Sequence, residues 1–165
     1  MKELLSNLIE ALREELKQYG EMLALLDQQQ QLVMQRQVAA LPENVNCVNL
    51  QAGVIAAARQ EREQRQRHLA RLLSLPENSA ALGLIPHLPS DYRPLVGALV
   101  SENNELLVRV QQRARQNHML LSHAVELMQQ LITSIFPSAA PVTYDVSGHT
   151  AGKFIPAESL YQAVG

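Results

Sequence analysis

Between Glu3 and Leu41 the chain has no proline and a single glycine, Gly20, and its apolar side chains recur at alternating steps of four and three. The series runs Leu5, Ile9, Leu12, Leu16, Tyr19, Leu23 and Leu26. Residues spaced this way fall on one face of a helix, and a 3.5-residue period is that of helices packed along a seam. A strand would need period two, which this stretch lacks. Composition agrees: Leu, Ala and Gln contribute 27, 19 and 17 of 165 residues, against two Phe, four Tyr, seven Gly and no Trp. Sheet-rich folds draw on aromatic and β-branched residues and frequent glycine turns. The chain is expected to be all-α.

The remaining breaks follow proline. The first helix is expected over about 3–41, and Leu41-Pro42-Glu43-Asn44 reads as a turn, because proline disfavours helical geometry in the residue before it. The second helix is expected over about 45–75, with Val48, Ala52 and Ile55 in its first stripe and Leu69, Leu72 and Leu73 in its last. Pro76, Gly83, Pro86 and Pro89 mark a connector with one short helical turn around Ser79 to Leu82. The third long helix is expected over about 91–136. It is capped by Ser90 or Asp91, with Pro94 tolerated in its first turn, where no internal partner is required. The architecture expected is an elongated antiparallel bundle of three long helices over residues 1–136, with a short connector helix. A mostly irregular tail over 137–165 follows, with a short helix near 157–164. Too little apolar area lies in that tail for it to fold alone, so it should pack on its own bundle or on a neighbour.

Polar residues interrupt the seams. Gln30 and Gln37 follow Leu26 on the first helix, and Asn103, Arg113 and Asn117 break the third. Arg59 to His68 is a run of ten residues with no apolar side chain. Glu61 with Arg65, and Glu63 with Arg67, have the acid-first i, i+4 spacing that supports a solvated helix. Were this run level with Arg109 to His118, one section of the bundle would be wet, with apolar packing on either side.

Several function classes are disfavoured. Net charge is −2 with a pI near 6.2, so no global basic field exists to hold nucleic acid or anionic lipid. The arginine run lacks the interleaved aromatics that stack on bases; it suits a solvated face or an acidic protein partner. One cysteine, Cys47, cannot make an internal disulfide or a Cys-rich zinc site, and suits a reducing compartment. His118 and His123 are five residues apart, which on a helix puts them about 140° apart around the axis, and His68, His87 and His149 lie in separate segments. No metal site is expected. No nucleophile elbow, P-loop or dinucleotide fingerprint appears, so no catalytic residues, no cofactor and no enzymatic activity are expected. The amino-terminal residues MKELLSNLIEALREEL are broken by charges and read as neither a secretory signal nor a membrane span. A soluble, cytoplasmic protein without stable membrane insertion is expected.

What remains is a helical object suited to binding helices. Met119, Met128, Leu120, Leu121, Leu127 and Leu131 concentrate near the end of the third helix. Two readings are open for them: a core seam, or a groove for an amphipathic partner helix, to which adaptable methionine is suited.

The layout also resembles a known family. The first helix begins MKELLSNLIEALREELKQYGEMLALLDQQQ and the second, Arg-rich, ends in RHLARLLSLP. The third runs through LVSENNELLVRVQQRARQNHMLLSHAVELMQQLI, and a proline-broken tail carries T-Y-x-x-x-G. Together these resemble the FlgN-like flagellar export chaperones. The resemblance implies a small cytoplasmic helical protein that binds the sticky terminal helices of hook–filament junction proteins. It would prevent their early assembly and deliver them to the flagellar type III export apparatus. It implies a client-binding region towards the carboxy terminus, carried here by Leu120, Leu127, Met128, Leu131, Ile132 and Ile135. It also implies a tyrosine that docks on the cytoplasmic domain of the export gate. Tyr144 matches by its context with Gly148, and Tyr161 is the other tail tyrosine. A generic helical adaptor, or a coiled-coil protein that forms a homodimer or self-associates through its tail, is the alternative.

Overall fold

A computed structural model describes residues 1–135, all of whose regular structure is helical. The long helices are α1 (Lys2–Met34), α2 (Leu41–Leu72) and α4 (Arg93–Ile135), with the one-turn α3 (Ala81–Leu84) in the connector. Short 3₁₀ turns cover Val38–Ala40 and Ile85–His87. The chain divides into two compact units, Met1–Leu121 and Ser122–Gly165. The expected tail over 137–165, its short helix and both tail tyrosines lie outside the described residues.

In the first unit α1 is buried on two stripes. One contains the expected Leu5, Ile9, Leu12, Tyr19 and Leu26, with Leu16 and Leu23 half-buried. The other runs Leu8, Ala11, Glu15, Gln18, Met22, Gln29 and Leu32, with half-buried Leu25 between Met22 and Gln29 completing the same three-and-four spacing. Hydrogen bonds give the sense of its neighbours. Asn44 and Gln51 of α2 donate to the carbonyls of Leu25 and Gln18 at 3.1 and 3.0 Å, so α2 ascends as α1 descends. Asn103 and Asn117 of α4 donate to the carbonyls of Leu12 and Leu26 at 2.9 and 2.7 Å, so this part of α4 runs in the same sense as α1.

The apolar core sits at the amino-terminal end of α1. Leu5, Leu8, Ile9 and Leu12 pack there with Leu69 and Ala70 of α2, Leu84 and Leu88 of the connector, and Val96, Leu99 and Val100 of α4. The connector is fastened over this base. The Arg71 guanidinium holds both oxygens of Glu77 at 2.7 and 3.0 Å, and Arg93 donates to the Leu88 carbonyl at 2.7 Å. That bidentate bond to Arg71 keeps the Glu77 carboxyl below the usual carboxylate range.

Two helix ends differ from expectation. α1 stops at Met34 instead of continuing to Leu41, and Pro42 stands inside the first turn of α2 instead of breaking the chain. Proline fits there because the first-turn N–H groups have no partner inside the helix. The reversal comes earlier, at Arg36, whose φ of 57° is left-handed. Gln37 and Arg36 then donate back to Leu32 and Val33, the paired bonds of a Schellman ending. α2 ends the same way three residues before Leu75: Ser74 has φ 56°, and Leu75 and Ser74 donate to Ala70 and Arg71.

The level expected for the polar stretches is also corrected. Arg62 and Arg59 meet Glu15 of α1, close to the Leu12 rung held by Asn103. Arg113 meets Asp27 at 2.7 Å. The two arginine-bearing stretches therefore engage α1 about three turns apart, because each finds its own acid on that helix.

Candidate functional site

The second unit contributes the last turns of α4, and every residue from Ser122 to Ile135 is exposed. At 100° per residue, Leu127, Met128, Leu131, Ile132 and Ile135 fall within an arc of about 140°. Ser122, His123, Glu126, Gln129, Gln130, Thr133 and Ser134 occupy the rest of the circumference. The segment is thus amphipathic, and none of the described residues covers its apolar side: exposures run from 48% at Leu127 to 66% at Ile135. Scattered exposed leucines are ordinary, but a contiguous apolar helix face usually marks an interaction surface. On the polar side His123 Nδ1 lies 3.7 Å from Glu126, and the Thr133 hydroxyl donates to the Gln129 carbonyl at 2.8 Å.

Five of the six sequence candidates thus share one face. Leu120 belongs to the first unit, where it is 38% exposed. Val125, at 56% exposure, lies at the edge of the same arc and was not among the expected residues. Its spacing of three from Met128 and seven from Ile132 was the available signal. Tyr144 lies outside the described residues.

The first unit holds a buried charged centre on the other stripe of α1. Glu15 is 3% exposed, and its two oxygens are shared among three partners. The Tyr19 hydroxyl donates to Oε1 at 2.9 Å, and Arg62 Nε lies 2.7 Å from Oε2. Arg59 approaches Oε1 at 3.9 Å. The Arg62 Nε–H is not directed at the nearby oxygen, so this contact is an ion pair by distance rather than an aligned hydrogen bond. Burial, then the neighbouring Glu15 charge, push the Tyr19 hydroxyl up to about 12. This arrangement keeps Tyr19 a proton donor at any physiological pH. It anchors α2 to α1 and leaves no free base or nucleophile, so it is structural chemistry. Cys47 is half-buried.

Among the described residues, no group of three or more His, Cys, Asp or Glu is placed to hold a metal ion. No helix among them is long and apolar enough to cross a membrane. No curated protein and no solved structure matches the chain significantly. A family model described as FlgN protein matches residues 1–152. That match takes in every helix from α1 to α4, and the chain belongs to the FlgN family.

Proposed function

We propose that this chain is a cytoplasmic chaperone for flagellar hook–filament junction proteins. It holds their terminal amphipathic helices, keeps them from assembling early, and delivers them to the type III export apparatus. FlgN-family proteins are flagellar export chaperones, and that chemistry is helix capture rather than catalysis. The observation that supports the reading is the exposed apolar face of Leu127, Met128, Leu131, Ile132 and Ile135. A client helix laying i, i+3, i+4 and i+7 anchors along it would bury about three turns of apolar surface.

The magnitude suits a chaperone that must let go. Burying a Leu, Ile or Met fully contributes about 1.5–3 kcal/mol. With these side chains about half covered already, five of them supply roughly 5 kcal/mol gross. Ordering of the client helix and lost translational freedom subtract from that. Contact through these five side chains alone is therefore weak and readily reversed at the export gate, and a stable complex requires the client to bury further surface. Docking on the gate's cytoplasmic domain is assigned to Tyr144, with Tyr161 as the control position.

Co-expression of the full chain with the carboxy-terminal helices of junction proteins tests the reading. A 1:1 complex by size exclusion with light scattering is expected. A folded chain that captures no such helix overturns it. An obligate homodimer without any client favours the adaptor reading instead. Tyr144→Ala is expected to keep the client and lose the gate domain, and the reverse pattern would reassign that role.

A further inference from the structure

The two halves of the first unit are held by different chemistry. Below Asn103, α4 packs Val96, Leu99 and Val100 into the apolar base. Above it, among the described residues, the only buried ones on α4 are Asn103 and Asn117 themselves. Leu106, Leu107 and Val110 between them are half-buried. α4 therefore grips α1 here through polar rungs: Asn103 on the Leu12 carbonyl, and Asn117 on the Leu26 carbonyl and on Gln29 at 3.1 Å. Arg113 adds its contact with Asp27.

The asparagine rungs are neutral hydrogen bonds, each of which contributes less net stability than an apolar side chain fully buried in the base. By contrast α1 and α2 approach each other closely along their length, far more so than α1 and α4.

We propose that α4 from Asn104 to Leu121 is a releasable strap. It pivots at Asn103 and lifts from α1 while the base stays packed and α2 stays in place. Lifting uncovers the face of α1 that carries Leu26. The device is independent of what the protein binds and does not rest on the chaperone reading.

Leu12 and Leu26 occupy equivalent heptad positions beside the two asparagine rungs, one in the base and one under the strap. In a Cys47→Ser background, Leu12→Cys and Leu26→Cys are compared for maleimide labelling of the folded full chain. The cysteine at 26 is expected to react at least tenfold faster than the one at 12. Adding Asn117→Leu, which continues the apolar seam, is expected to slow labelling at 26 at least threefold and leave 12 unchanged. Hydrogen exchange of the unsubstituted chain supplies a readout that needs no variant: amides over 104–121 should exchange at least tenfold faster than those over 96–103. Equal labelling at 12 and 26, or equal exchange across Asn103, overturns the strap.

Discussion

Glu15 shows how one buried charge fixes a helix pair. A carboxylate at 3% exposure is tolerated only when paired and hydrogen-bonded, and Tyr19, Arg62 and Arg59 together meet that condition. The Tyr19 hydroxyl, pushed up to about 12 from an ordinary 10, carries a pH signature. A raised folded value means the native state keeps its proton after the unfolded chain has lost it. Its contribution is complete below pH 10 and is lost as pH rises through 12. Comparing urea unfolding of the unsubstituted chain with Tyr19→Phe at each pH isolates that share from other alkaline titrations. The variant is expected to be less stable by about 1.5–3 kcal/mol at pH 7, the worth of a hydrogen bond to a charged group. The difference should shrink towards zero near pH 12. A difference that stays constant from pH 9 to 12 would show that Tyr19 is not held by Glu15. Glu15 was not legible as a buried residue, because nothing in the local sequence marks which acid of a charged helix meets a partner from another helix. The pattern that places it, a second three-and-four series through Ala11, Gln18 and Met22, is hidden by its polar members.

The long helices themselves were legible, since period and absence of proline leave a chain of this kind few alternatives. Their ends were not. Glycine or proline is the usual marker of a helix stop, but the left-handed positions here are Arg36 and Ser74. Pro42, the residue that looked like the stop, is instead accommodated in the first turn of α2. A side chain bearing a Cβ costs about 1–2 kcal/mol in left-handed geometry, and glycine recovers part of this while adding freedom to the unfolded chain. Arg36→Gly and Ser74→Gly are each expected to stabilise by about 0.5–1 kcal/mol, raising Tm by roughly 1–4 °C in calorimetry. Alanine at the same positions should give no such gain, because it retains the Cβ. If glycine destabilised both sites, the paired Schellman bonds would not be what ends these helices. Asn103 and Asn117 belong to the same lesson. As sequence they interrupt a seam, and only the α1 carbonyls they reach explain why the interruptions stand two heptads apart.

At the scale of the whole chain, apolar residues serve two ends that a single sequence does not separate. Leu8 and Leu127 lie on equally regular helical stripes, yet one is 1% exposed and the other 48%. A stripe reports that a face is apolar and says nothing of whether the chain supplies its cover, which is why core and partner groove were both open for the end of α4. The distinction has a measurable consequence. Leu8→Ala removes buried methyl groups from the base and should cost about 2–5 kcal/mol, lowering Tm by on the order of 10 °C. Leu127→Glu with Leu131→Glu exchanges exposed residues for a good helix former and should change stability by less than about 1 kcal/mol. The same pair places two charges where a client helix would bury its stripe, so client capture should weaken at least a hundredfold, about 2.7 kcal/mol or more. The double variant must therefore melt with the parent protein and fail to bind, while Leu8→Ala melts early and binds normally at low temperature. A double variant that melts as early as Leu8→Ala would mean that the folded chain itself covers this face, and the client surface would have to be sought elsewhere.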